Sequence, residues 1–135
     1  MYKKILVPIS FDDDEKVDRS IAAARAMADD DATITLLHVV EHVPAYAIYH
    51  IPDDLMEATR EGLAKELQRL ASDVPHGEGM LVEGHAGRTI LDTAEEVGTD
   101  CIVIASHRPG MQDYLLGSTA AQVVRHAPCT VVVVR

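Results

Sequence analysis

Cys101-Ile-Val-Ile-Ala105 and Thr130-Val-Val-Val-Val134 are two short, almost wholly apolar runs, and between them stands Ser106-His-Arg-Pro-Gly-Met-Gln-Asp-Tyr-Leu-Leu-Gly117-Ser118-Thr119. Continuous apolar runs of this length read as strands buried on both faces. Gly117-Ser118-Thr119 opens a helix reaching to about His126, so the segment reads strand, loop, helix, strand. The first turn of such a helix has backbone N–H groups with no intrahelical acceptor and carries the positive end of the helix dipole. Glycine at its entrance lets an anion approach the backbone, and Ser118 and Thr119 add hydroxyl donors, so this turn is shaped for phosphate.

The same alternation extends toward the N-terminus. Lys4-Ile-Leu-Val-Pro8 predicts strand one, and Asp14 to about Ala28 a helix with Val17, Ile21, Ala24 and Ala28 on one face. Thr33 to Val40 is a second apolar run, followed by an irregular stretch, Glu41 to Ile51, expected as a loop or lid. Pro52-Asp53-Asp54 starts a helix in which Leu55, Ala58, Leu63, Leu67 and Leu70 form one apolar stripe, ending near Asp73-Val-Pro75. Gly79 to Glu83 is a weaker strand, Gly84-His-Ala-Gly87 turns the chain into a helix carrying Ile90, Leu91, Ala94 and Val97, and Gly98 closes it. Strands alternating with helices predict a doubly wound α/β fold, a parallel five-stranded sheet with right-handed crossovers and helices on both faces. In such sheets ligands bind beyond the carboxyl ends of the strands, where strand order reverses. Pro8, Ile9 and Ser10, then Val39, then the segment from Ala105 through Ser106, His107 and Arg108 to Gly117, Ser118 and Thr119 are expected to converge there.

Composition narrows the partners. The 135 residues fit one domain, 1–135, large enough to bury roughly two-thirds of the unfolded chain's surface. Twenty-two acidic against 12 basic residues, a net charge of −10, oppose binding to nucleic acid, whose phosphates require Lys or Arg. The acidic runs Asp12 to Glu15 and Asp29 to Asp31 read as a helix-dipole partner and a solvated turn. No apolar run is long enough for membrane insertion, and Met1-Tyr-Lys-Lys followed by five apolar residues is too short for a signal peptide, so the cytoplasm is the expected location. Cys101 and Cys129 each begin a predicted strand and read as small core residues rather than a bridge. The seven histidines are scattered without metal-ligand spacing, and no metal site is expected. His38 reads as a packed strand residue, His107 as a loop polar group, and His126 as a dipole partner at a helix end. Gly84 and Gly87 read as turn glycines. Tyr46, Tyr49 and Tyr114 are either covers for a base or ordinary surface residues.

Ile-Leu-Val-Pro at the front, Leu-Leu-His-Val-Val in strand two and the final stretch Tyr-Leu-Leu-Gly-Ser-Thr-Ala-Ala-Gln-Val-Val-Arg-His-Ala-Pro-Cys-Thr-Val-Val-Val-Val-Arg together resemble the universal stress protein family over the whole chain. The likeness is closest to the subgroup labelled F and G, in which the loop after strand four reads Ser-His-Arg-Pro. The resemblance implies sheet order 3-2-1-4-5, a homodimer, and, in one large branch, ATP binding through a Gly-x2-Gly-x9-Gly-[Ser/Thr] loop. This chain departs from that pattern: Ala105 and Arg108 stand where the first two glycines are expected, and eight residues, Pro109 to Leu116, separate Arg108 from Gly117. The Arg108 guanidinium either clamps phosphates as a charge-assisted donor or blocks their site. Ser10 occupies a position where the family usually has Asp near the adenine or ribose, with Asp12 as a substitute.

The leading expectation is therefore a cytoplasmic stress-response protein that binds ATP, or ADP or AMP, with Mg2+ as a candidate companion ion. Adenosine would lie near Pro8, Ile9, Ser10 and Val39 and phosphates at Gly117, Ser118 and Thr119. A Walker lysine is absent and no general base is well placed, so binding, with at most slow hydrolysis, is expected in place of efficient catalysis. Thr130 to Val134 would be an apolar edge strand, which pairing with a second copy would hide. The alternative is a nucleotide-independent module that contacts an unidentified protein partner through 41–51. An electron-transfer flavoprotein subunit or adenylating enzyme would need a longer chain and signatures absent here.

Overall fold

The computed structural model describes residues 1–106 and 116–135. Its elements, in chain order, are β1 (Tyr2–Pro8), α1 (Asp14–Met27), β2 (Ala28–Val40), α2 (Ala45–Ile48), α3 (Asp53–Ser72), β3 (Gly77–Glu83), α4 (Ala86–Val97), β4 (Cys101–Ala105), α5 (Ser118–His126) and β5 (Thr130–Val134). All pairings are parallel and the order is β3-β2-β1-β4-β5, the doubly wound arrangement expected.

The strands are apolar throughout because each faces a helix layer on both sides. Ile5, Val7, Ile34, Leu36, Cys101 and Val103 pack beneath α1 and α3, against Val17, Ala24, Leu67 and Ala71. The alternating positions Leu6, Leu37, Ile102 and Ile104 pack on the opposite face against Ile90 and Ala94 of α4 and Ala120 and Val123 of α5. β1 and β4 lie centrally between these layers, so their ends are held by the largest part of the core. Cys101 is fully buried, and burial, with the neighbouring Cys129 and Asp100, pushes its thiol up to about 11. Both cysteines are free thiols; Cys101 is the core residue expected, whereas Cys129 is only partly buried and lies one residue before β5.

Three boundaries differ from the sequence reading. Asp29 to Asp31, expected as a turn, lie inside β2, which begins immediately after α1. Register explains the misreading: Tyr2 pairs with Ala28 but Lys4 pairs with Thr33, so Lys3 alone opposes four β2 residues. Such an irregularity leaves Asp30 and Asp31 in solvent while Asp29 pairs with the Met1 amino group. The stripe on α3 is buried only toward its C-terminal end. At 20 residues α3 is about 30 Å long against about 23 Å for the seven-residue β3 beside it, and Leu55, on the overhanging turns, is 56% exposed. The segment 41–51, expected as a loop or lid, contains the short helix α2.

Gly98 adopts φ 70°, the left-handed cap expected after α4. His76 takes a similar conformation, φ 56°, between α3 and β3, yet is not glycine. Its carbonyl accepts from Ile34 N–H at 3.3 Å, which fixes the turn into β3. Left-handed backbone strains an L side chain, and the His76 side chain is exposed. His76→Gly is therefore expected to raise unfolding free energy by about 0.5–1 kcal/mol in urea denaturation. Among the described residues, no helix is long and apolar enough to cross a membrane.

Candidate functional site

The carboxyl ends of β1, β2 and β4 open into one cavity of about 600 Å³. Pro8, Ile9, Ser10, Val39, Ala105, Ser106, Gly117, Ser118 and Thr119 all line it, so the described residues expected to converge do so. His107 and Arg108, and with them the choice between clamp and block, lie outside the described residues, as does Tyr114. Tyr46 and Tyr49 are 79% and 90% exposed on and beside α2 and do not line the cavity. Gly87, read as a turn glycine, instead lies buried in the first turn of α4, where a Cβ would meet the Gln122 side chain of α5.

Helix ends flank the cavity from opposite faces of the sheet, and their capping differs. At α1 the Asp13 carboxylate accepts from Glu15 N–H at 3.0 Å and Lys16 N–H at 3.4 Å, so an anion already occupies this positive end. At α5 the N-cap is Gly117, which supplies no side-chain acceptor. Its φ and ψ, −61° and 157°, are open to any residue, so backbone conformation does not require glycine here. Gly117 N–H is itself committed, donating to Ser106 O at 2.7 Å, which leaves the next three amides as the orphan donors of the helix start.

Ser106 joins three elements. Its N–H donates to Val134 O of β5 at 2.8 Å, and its carbonyl receives the Gly117 amide. The side chain is treated differently: Ser106 is 3% exposed and its Oγ has no hydrogen-bond partner among the described residues. A buried hydroxyl without a partner is costly. Beside the open end of α5, it is a donor for which the described residues provide no acceptor.

Across the cavity the chemistry changes. Ser10 Oγ donates to Asp12 Oδ2 at 2.7 Å, so serine and the nearby carboxylate form a unit at the position where one aspartate was expected. His38, at the end of β2, places Nδ1 2.7 Å from Ile9 O. A carbonyl only accepts, which assigns the proton to Nδ1 and leaves Nε2 the acceptor of the neutral ring. Phe11 meets that ring edge-on, with centroids 4.8 Å apart. His38 is thus both packed, as read from sequence, and part of the cavity wall. Lys16, Val17 and Ser20 from α1 and Ala86 and Ile90 from α4 also line it and were missed, because no local motif marks them. Only the helical period would have offered a signal: 16 and 20 lie one turn apart on α1.

Outside the cavity, Glu83 at the end of β3 bonds Arg60 of α3, and its Oε1 lies 2.9 Å from His42 Nδ1. The Arg60 hydrogen bond, then that of His42, holds the Glu83 carboxyl below its ordinary range. This clasp is therefore complete at neutral pH and weakens as pH falls through the carboxylate range. Among the described residues no cluster of three or more metal-ligating side chains occurs.

The family model for the universal stress protein family matches residues 1–135. The chain belongs to the universal stress protein family. Universal stress protein G of Shigella flexneri is 31% identical over 142 aligned positions, covering 100% of both chains, in keeping with the F and G resemblance. Among solved structures, the universal stress protein of Archaeoglobus fulgidus in complex with dAMP matches with a TM-score of 0.65 at 21% identity, covering 99% of this chain and 98% of that one. A universal stress protein family member from Arabidopsis thaliana with AMP bound gives 0.65 at 18% identity, covering 98% and 90%. At these identities the two structures establish the shared fold of a universal stress protein.

Proposed function

We propose that this universal stress protein binds an adenine nucleotide and acts in the cytoplasm as a homodimeric sensor or regulator, with at most slow ATP hydrolysis. The observation that carries the reading is the unequal capping of α1 and α5: Asp13 closes one helix end, while Gly117 supplies no side-chain cap at the other, beside a Ser106 hydroxyl that has no partner among the described residues. Phosphate would take the α5 end, and the adenosine would lie toward Pro8, Ser10, His38 and Val39. The dAMP and AMP bound to the two structural neighbours support the choice of nucleotide. Mg2+ would arrive on the phosphate oxygens, with Asp12, whose Oδ2 accepts from Ser10, a carboxylate of the wall that is not committed as a helix cap, as Asp13 is. The dimer rests on β5, an edge strand of four valines and a threonine whose outer backbone groups would pair with a second copy.

The decisive experiment denatures freshly purified protein, identifies the released small molecules by mass spectrometry, and titrates ligand-free protein with ATP, ADP and AMP by calorimetry. An adenine nucleotide released in near-stoichiometric amount, or bound with Kd below about 1 mM, is expected; neither result would refute the reading. Sedimentation of the same samples is expected to give the mass of a dimer. The exposed Tyr46, Tyr49 and Leu55 favour the competing reading, a protein-interaction module, which absence of any nucleotide would support.

A further inference from the structure

We infer that Lys16 is the residue through which this cavity distinguishes nucleotides by phosphate number, an inference that rests on the nucleotide reading above. Lys16 is the third residue of α1, where the helix dipole disfavours a cation and favours its neighbours Asp14 and Glu15. Helix formation therefore does not explain a lysine at this position. Ion pairing does not explain it either. Although four acidic residues precede it directly, Lys16 forms no ion pair among the described residues, whereas Arg19, one turn on, pairs with Glu15. The side chain is half-buried and lines the cavity.

Its position in the cavity follows from the packing of α1. That helix spans the sheet, packing on β1, β2, β4 and β5, and its N-terminal turns line the cavity. Lys16 thus lines the cavity from the face of the sheet opposite the open start of α5. An α-phosphate seated on the α5 amides would direct a β- and γ-phosphate away from that helix, and α1 forms the facing wall. An ammonium there acts as a compact point charge with three donors, suited to a terminal phosphate. The carboxylates of Asp12, Asp13 and Glu41 otherwise make the described lining unfavourable to added negative charge. Among the described lining residues, Lys16 is the cation that offsets them.

The test titrates wild type, Lys16→Gln and Lys16→Arg with ATP, ADP and AMP by calorimetry in metal-free buffer, with circular dichroism to verify folding. Lys16→Gln is expected to weaken ATP about tenfold and ADP by less, leaving AMP within about twofold. Lys16→Arg is expected to restore most of the ATP affinity, because it restores the charge. The salt dependence of ATP binding is expected to flatten in Lys16→Gln. An unchanged ratio of ATP to AMP affinity, whether the glutamine variant weakens all three nucleotides equally or none, overturns the inference and leaves the nucleotide reading intact. Wild-type protein that binds none of the three overturns both.

Discussion

Gly117→Val is expected to weaken the proposed nucleotide binding about a hundredfold in calorimetric ATP titration. The loss follows from where the new atoms would go. Gly117 is buried at the N-cap of α5, and its ordinary φ and ψ accommodate valine without backbone strain. The branched side chain would then take the space over the first-turn amides and separate them from any phosphate. Its amide would still donate to Ser106 O, so the turn itself survives. Valine is a poor N-cap, and unfolding free energy is expected to fall by about 1 kcal/mol, small beside the binding effect. Folded variant protein that binds ATP as tightly as wild type would remove α5 from the site.

The largest effect on stability is expected at Leu6. It is fully buried in the central strand, pairs with Thr35 and Ile102 in the neighbouring strands, and packs in the layer beneath α4 and α5. Leu6→Ala should lower unfolding free energy by 2–5 kcal/mol, about the range for removing a buried leucine side chain. That is a large share of the roughly 5–15 kcal/mol a domain of this kind possesses. Leu55→Ala, the same chemical change on the exposed end of α3, should cost under about 0.5 kcal/mol. Urea denaturation of the pair measures both, and a small loss at Leu6 would mean that the core is not built as described.

Much of this architecture can be read in the chain because its signals are local. The apolar runs at 101–105 and 130–134 match β4 and β5 residue for residue, and Gly98 marks the end of α4 through a backbone conformation few other residues adopt. What failed to show depended on distance. Asp30 and Asp31 look like a turn because their exposure comes from a register jump against β1, a property of the pair of strands. Leu55 belongs to a perfectly regular stripe, yet periodicity says nothing about how far a helix outruns the sheet beneath it. The cavity divides in the same way. Gly117-Ser118-Thr119 announces itself as a helix start, and strand ends such as Pro8 and Val39 follow from topology. Lys16 and Ala86 do not: 70 residues separate them in the chain, and only the crossovers bring α1 and α4 to one opening.

The position of Ser106 has a consequence for diversification. Its ties to Val134 and to Gly117 run through main-chain atoms, so any small residue other than proline placed there inherits them. The side chain is accordingly released from architectural duty. Exchanging it for another small side chain would change the polarity of the cavity wall while leaving these main-chain bonds in place.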